Sequence, residues 1–478
     1  MSSSTLPDAS WSELLHGRNA LRSIALAGGV ALHAINVYVV TTILPSMIAD
    51  IGGLAYYAWN TSLFVVASIV GSALSARLLE SLGPRGAYLS ALAAFAAGSS
   101  WCALSPSMPS LLAARTVQGF GGGVLLALSY ALIRQVFEAR LWPRAMGLVS
   151  GMWGVATLCG PAVGGLFAEG GHWRWAFWSL IPVAAVLGVI VVVQLPGRTR
   201  AGGDARMRPP YATIGLLVVS VLAVSLGGLA PSAAWNLAGV ATGGLLAVGI
   251  AAIDRRAAAR LLPTGAYSLS TRLGVLYALM SLLVVGITTE IFVPYFLQVI
   301  HGMTPLAAGY LTAVMAGGWT LGSVGSAGRR GASADRMVRA GPWISLAALV
   351  ALAILTPRAG WLEGAPGLAL YCLALAGVGL GIGVGWPHLL TRLFVAAPPG
   401  EENLASASIT TAQLYAMALA SALAGMVANA AGLADPGGQS GAQSAALWLF
   451  GAFAAAPALA VLLSRRVAGR GSGGTTEG

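Results

Sequence analysis

Apolar residues run along this chain in blocks of roughly twenty, broken by short polar stretches. A helix needs about 20 residues to cross the hydrocarbon of a bilayer, so each such block predicts a spanning helix. The blocks lie at 20–44, 59–79, 86–105, 109–133, 145–167, 174–195, 211–231, 235–253, 274–299, 305–327, 341–356, 366–390, 404–431 and 443–464. The fold class expected is an all-α membrane protein of 14 transmembrane helices. The connections are too short for a soluble domain. The longest, 196–210 and 254–273, flank the pair of blocks at 211–253. The chain therefore divides 6+2+6: an N-terminal six-helix bundle over 1–197, a central two-helix insertion with its flanking loops over 198–265, and a C-terminal six-helix bundle over 266–478. Internal repeats of this kind are common in secondary transporters. The Gly/Ser/Thr-rich tail from 470 is expected to be disordered. The polar first 19 residues carry no A-x-A-type cleavage site, so no cleaved signal peptide is expected.

Composition removes the soluble alternatives. Hydrophobic residues make up 57% of the chain and charged residues 9%, with a mean hydropathy of +0.80. A water-soluble surface needs far more charge, and lipid is the solvent that suits such a chain. The net charge of +11 comes entirely from arginine, since the chain has no lysine. A basic balance can signal nucleic acid. Here the arginines sit in short connections between apolar blocks, which points to membrane orientation and away from nucleic acid. With the N-terminus placed inside, only Arg174 and Arg358 fall in outer connections, and Arg115 lies within a block. The positive-inside rule thus supports the helix count and puts both termini in the cytoplasm. Arginine without lysine, in a chain rich in Ala and Gly, suggests a high-GC bacterial genome and a bacterial inner membrane. Cys102, Cys159 and Cys372 fall in apolar blocks, show no metal-ligand spacing and read as packing residues.

Four segments resemble the major facilitator superfamily, in particular its fourteen-helix drug:proton antiporter branch. Gly151, followed after eight residues by Gly160-Pro161-Ala162-Val163-Gly164-Gly165, matches the antiporter pattern G-x8-G-P-x-x-G-G in the fifth block. Glycine lets helices approach closely and Pro161 bends its helix; the resemblance implies that this helix seals the interface between halves. Arg115-Thr116-Val117-Gln118-Gly119 is similar to the family's R-x-x-Q-G, which implies a part for Arg115 in proton coupling. The 76–86 connection is similar to the family's acidic–basic gate loop in degraded form, keeping Glu80, Gly83 and Arg85. Trp173-Arg174-Trp175-Ala176-Phe177 resembles the branch's W-R-W-x-F and reads as an interfacial aromatic belt. The resemblance implies a major-facilitator-type fold with substrate bound between two bundles that alternate in access.

One position departs from the family. Aligned on Pro45, Asn36 stands where the membrane Asp is usual, and Asn cannot carry a proton. Of the acidic residues, only Glu290 lies deep within a block, 16 residues from its start and so roughly 24 Å in. A carboxyl there can alternate between a proton and a cationic substrate, and Pro294 one turn later breaks the backbone bonding, as at many transport sites. His33 shares a helix face with Asn36 and is the second candidate for proton handling. Asn36, Tyr38, Tyr130, Tyr277, Trp319, Gln413 and Tyr415 are the candidate substrate-cavity residues, aromatics being suited to hydrophobic cations. The run Gly377, Gly379, Gly381, Gly383, Gly385 lies inside an apolar block and reads as close helix packing.

The chain has no G-x-x-x-x-G-K-[ST], no H-E-x-x-H and no paired intramembrane carboxylates. An ATP-driven pump, a zinc protease and an aspartyl intramembrane enzyme lack their chemistry, and no cofactor or metal is expected. The expectation is a monomeric secondary transporter, not an enzyme. It would export small hydrophobic or cationic compounds in exchange for protons. The variants are export of one specific metabolite or siderophore, and proton-coupled uptake.

Overall fold

The computed structural model describes residues 10–197, 210–230 and 232–468. The connection bearing Arg198, Arg200, Arg206 and Arg208, and the tail from Arg470, lie outside the described residues. Among the described residues there are helices and no strands, and eleven helices are long and apolar enough to cross a membrane. The protein is an all-helical multi-pass membrane protein. The chain forms two units: Met1–Gly52 with Leu63–Pro209, and Gly53–Ser62 with Pro210–Gly478.

The first unit contains α1 (Gly17–Ile51), most of α2 (Trp59–Leu104), α3 (Met108–Ala131), α4 (Trp142–Glu169) and α5 (Leu180–Gln194). The sequence predicts a loop between blocks 59–79 and 86–105. Instead, helix continues on both sides of a break at Gly83, whose φ of 73° and ψ of 172° only glycine adopts without strain. The chain must reverse there. A straight 46-residue helix would be about 69 Å long, more than twice the hydrocarbon thickness. Phe64 from before the break and Phe95 from after it both lie against one stretch of α3. A Cβ on Gly119 would sit 2.3 Å from the Phe64 carbonyl, and one on Gly121 would sit 2.4 Å from the Phe95 nitrogen. The two halves of α2 therefore run antiparallel along α3.

The second unit contains the hairpin α6 (Tyr211–Gly227) and α7 (Ala233–Asp254), then α8 (Arg272–Ile287), α9 (Val293–His301), α10 (Pro305–Ser326), α11 (Gly331–Leu355), α12 (Ala365–Ala396), α13 (Glu402–Ala430), α14 (Gly438–Phe453) and α15 (Ala455–Ala468). The expected span 341–356 is the inner part of α11, which begins ten residues earlier. Hydropathy marks only the lipid-buried length, and the Arg- and Asp-bearing turns before it are helical without being apolar. The hairpin packs on α13, where Asn429 donates to the carbonyls of Ala55 at 2.9 Å and Gly228 at 3.1 Å. The glycine run of α12 does what its spacing predicts. A Cβ on Gly379 would lie 1.7 Å from the Met315 carbonyl of α10, and one on Gly381 would lie 2.1 Å from Ser345 Oγ of α11. Alternate glycines thus admit a different neighbour on each side.

The connection from α7 to α8 is an ordered clasp. The buried Asp254 carboxylate accepts the backbone N–H of Leu261 (2.7 Å) and of Leu262 (3.1 Å) and the Tyr267 hydroxyl (2.9 Å). Glu401 accepts both the Thr264 hydroxyl (2.7 Å) and its backbone N–H (2.6 Å). These bonds hold the Glu401 carboxyl below the usual carboxylate range. A depressed carboxyl stabilises the fold at neutral pH and loses that contribution as pH falls through its folded value. Asp254→Ala leaves three donors without their acceptor, a loss on the order of 3 kcal/mol. The segment 255–271, which contains Arg255, Arg256 and Arg260, should then be cut by trypsin under conditions where the wild type resists, as read by the fragment pattern on a gel.

Candidate functional site

Each unit carries its own polar cluster within membrane-spanning helices. In the first, α1 presents His33 and Asn36 three residues apart, 2% and 0% exposed. The His33 ring lies 5.3 Å from that of Phe64 and edge-on to Trp153 at 6.0 Å. The Arg115 guanidinium sits 4.1 Å from the centroid of the same Phe64 ring. Phe64 therefore brings the two sequence candidates together, and a cation over an aromatic face is stabilised by the ring quadrupole. The R-x-x-Q-G residues explain themselves locally. Arg115 donates to Gln118 Oε1 at 2.5 Å, and Gln118 donates to Ser99 Oγ at 2.8 Å. Gly119 leaves the room in which Phe64 approaches. His33 Nδ1, Arg115 Nε and both amide atoms of Asn36 have no protein hydrogen-bond partner. In this cluster, Arg115 Nε and the Asn36 amide are open to a small polar species.

The glycine motif of α4 divides. A Cβ on Gly160 would lie 2.3 Å from Tyr38 Cβ, and one on Gly164 would lie 2.9 Å from the Val39 carbonyl, so both pack α4 onto α1. Pro161 and Gly165 are buried with them, whereas Gly151 is exposed and faces open space. Tyr38 is half-buried at this contact. Tyr130 pairs with Ser150 through their hydroxyls at 3.1 Å. At the Gly83 reversal, Glu80 is exposed and makes no ion pair among the described residues. Arg85 turns instead to the end of α5, donating from Nε to the Leu195 carbonyl at 3.0 Å. The acidic–basic cluster that the resemblance implies for Glu80 and Arg85 does not form.

In the second unit, the block 274–299 is not one regular helix. Between α8 and α9 the chain tightens to a 3-10 turn over Thr288–Phe292, and Pro294 follows in the first turn of α9. Glu290 sits in that turn, half-buried. Its carboxylate has no hydrogen-bond or ion-pair partner among the described residues. The Thr288 and Thr289 hydroxyls bond back to Val284 and Gly286 and offer it nothing. A 3-10 stretch inside a helix is a common mark of a functional hinge. Two residues on, Phe292 stacks on Tyr57 at 4.6 Å, and Tyr57 meets Tyr295 edge-on at 5.4 Å. Tyr57 is 1% exposed and its hydroxyl has no partner. Sequence reasoning missed it, because it stands in a short connection that hydropathy does not mark.

The remaining cavity candidates of this unit are scattered. The Tyr277 hydroxyl pairs with Ser408 Oγ at 2.5 Å, tying α8 to α13. Trp319 of α10 meets Trp386 of α12 at 5.1 Å. Tyr415 pairs with Ser220 of the hairpin at 2.9 Å. Gln413, two positions away on α13, is half-buried on a different face. Asp335 at the start of α11 pairs with Arg392 at the end of α12. This is the acidic–basic contact that Glu80 and Arg85 lack. A signal for it was present in the Gly- and Arg-rich stretch 328–339, which has the character of the 76–86 segment. Among the described residues, no three or more His, Cys, Asp or Glu side chains come together as a metal site would require.

The model of a family described as Major Facilitator Superfamily matches residues 26–421. A protein of Mycobacterium tuberculosis H37Rv named "Probable multidrug-efflux transporter" is 39% identical over 463 residues, covering 95% of this chain and 96% of its own. A multidrug transporter protein of Bacillus subtilis is 26% identical over 307 residues, covering 63% of this chain and 56% of its own. Among solved structures, a POT-family transporter superposes with a TM-score of 0.67 at 13% identity, covering 97% of this chain and 100% of that one. A nucleoside transporter superposes at 0.63 with 12% identity, covering 94% and 99%.

Proposed function

Because the chain belongs to the major facilitator superfamily, we propose that it is a secondary transporter exporting hydrophobic or cationic small molecules in exchange for protons. The single observation that carries this reading is Glu290. It is an unpaired carboxylate in a 3-10 turn of an apolar helix pair, where it bears either a proton or a cationic substrate. The efflux names of the relatives from Mycobacterium tuberculosis and Bacillus subtilis support the export direction.

On this reading Asn36 and His33 serve different ends. Asn36 cannot carry a proton, so its free amide contributes to substrate binding, and His33 beside Arg115 forms the second polar station. Tyr38 and Tyr130 in the first unit, and Tyr277, Trp319, Gln413 and Tyr415 in the second, are the residues we propose for substrate contact, each within its own unit. Gly151, Gly160, Pro161, Gly164 and Gly165 allow α4 to move against its neighbours. At the cytoplasmic connection, Gly83 provides the reversal and Arg85 ties it to the end of α5, so any gate there acts without a Glu80–Arg85 pair.

The membrane count we propose is fourteen. The eleven long spans become twelve once α2 is divided at Gly83, and α6 and α10 complete the set. The layout is six, two and six, with boundaries near 197 and 265. Both termini lie in the cytoplasm of a bacterial inner membrane, and the working unit is a monomer. Expression in efflux-deficient bacteria should lower the accumulation of a fluorescent lipophilic cation, and a protonophore should restore it. Unchanged accumulation would reject broad cation export and favour a single specific metabolite as substrate.

A further inference from the structure

An apolar groove of about 480 Å³ runs along the outer face of the second unit between α11 and α15. Trp343 and Leu346 form one wall, and Ala458, Leu459 and Leu462 form the other. The groove is open, with Trp343 54%, Leu459 53% and Leu462 58% exposed. Its α15 wall extends from Ala455 to Arg465, a rise of about 15 Å along the helix. That length is about half the hydrocarbon thickness, the depth of one leaflet.

Charge lies at one end only. Arg465 closes the groove on α15. Arg339 is one turn from Trp343 on the same face of α11. Helices α11, α12, α13 and the α14–α15 pair follow one another as alternating spans, so the start of α11 and the end of α15 share one side. Both guanidinium groups are without a hydrogen bond or ion pair among the described residues. Some other arginines on short connections are satisfied, Arg140 by Glu13 and Glu138, Arg260 by Glu401 and Arg85 by a carbonyl, whereas Arg336 and Arg466, beside Arg339 and Arg465 in sequence, also have no ion pair among the described residues and add to the positive charge here. The one acid of α11, Asp335, is taken by Arg392, and α15 has no acid at all. Trp343 adds the amphipathic ring that sits at headgroup level in membrane proteins.

We propose that this groove is a binding site for an anionic phospholipid, with one acyl chain along α15 and the phosphate between Arg339 and Arg465. Basic clusters at the end of an apolar cleft between spanning helices suit such headgroups. A hydrophobic cation would meet two unbalanced positive charges there, so the groove is not a substrate entrance. The leaflet is the cytoplasmic one on the orientation proposed above, but the binding chemistry does not depend on it.

Native mass spectrometry of the purified full chain, titrated with phosphatidylglycerol or phosphatidylcholine of identical chains, tests the site. The wild type should hold its first phosphatidylglycerol at least about tenfold more tightly than phosphatidylcholine. Arg339→Gln with Arg465→Gln should remove that preference. Ala458→Trp, which fills the groove, should weaken both lipids. Equal affinity for the two lipids in the wild type would overturn the proposal, as would an undiminished preference in the double variant. A dimer that disappears in Ala458→Trp would also overturn it, by assigning the groove to a second copy of the chain.

Discussion

Glu290→Gln is expected to abolish export while leaving the protein folded. The substitution keeps the shape of the side chain and removes its ability to exchange a proton for a cation. Bacteria expressing the variant should accumulate a lipophilic cation to the level of cells with no transporter at all. Loss of activity in a membrane protein often reflects loss of protein, and here the two can be separated. The carboxylate makes no hydrogen bond or ion pair among the described residues, so its replacement leaves no protein group without a partner. Thermal unfolding in detergent should be unchanged or shifted slightly upward, because a neutral amide is cheaper to keep out of water than a charge. A variant that unfolds early would instead assign Glu290 a structural part.

The second large effect is steric and concerns adjacent residues with opposite outcomes. A Cβ on Gly318 of α10 would lie 2.2 Å from the Ala376 carbonyl of α12, whereas Gly317 has nothing within 4 Å. Gly318→Ala forces backbone against backbone, and two packed helices must part to admit it. Folded, monodisperse protein should be largely lost, with a cost of about 1–3 kcal/mol or more. Gly317→Ala meets open space and removes the entropic penalty of a helical glycine. It should stabilise by about 0.5–1 kcal/mol. Size-exclusion profiles of the two variants at equal expression decide the matter. Similar behaviour of the pair would mean that α10 and α12 do not approach as closely as described.

Much of this was legible in the sequence, for identifiable reasons. Lipid demands long apolar helices with short polar connections, so the blocks appear directly in the hydrophobic pattern. Glycine at alternate positions in α12 has few uses inside a bilayer other than close approach, and Gly379 and Gly381 are found at such approaches. The R-x-x-Q-G motif marked Arg115 as a functional position, and the structure adds the chain from Arg115 through Gln118 to Ser99 that the motif did not foretell. Glu290 was distinguishable because a lone carboxyl is costly at that depth.

What stayed hidden depends on geometry that hydropathy does not encode. An apolar run reads the same whether it is α-helical throughout or tightens to a 3-10 turn, so the break over Thr288–Phe292 left only Pro294 as a hint. Tyr57 lies 235 positions from the Phe292 on which it stacks, and no local pattern links them. The first ten residues of α11 are polar enough to read as loop, although they are helical. The resemblance implied that Glu80 and Arg85 act together. The carbonyl of Leu195, brought close by the fold, captures the guanidinium instead.

The central claim is that a proton bound at Glu290 drives the outward step, and proton movement itself is its most direct test. The purified protein would be reconstituted in liposomes enclosing a pH-sensitive dye, and a cationic substrate would be added to a sealed, buffered suspension. Wild-type vesicles should show a substrate-dependent change in internal pH that saturates with substrate and is erased by a protonophore, and Glu290→Gln vesicles should show none. Substrate uptake without any pH change in the wild type, or an undiminished pH change in Glu290→Gln, would contradict the account.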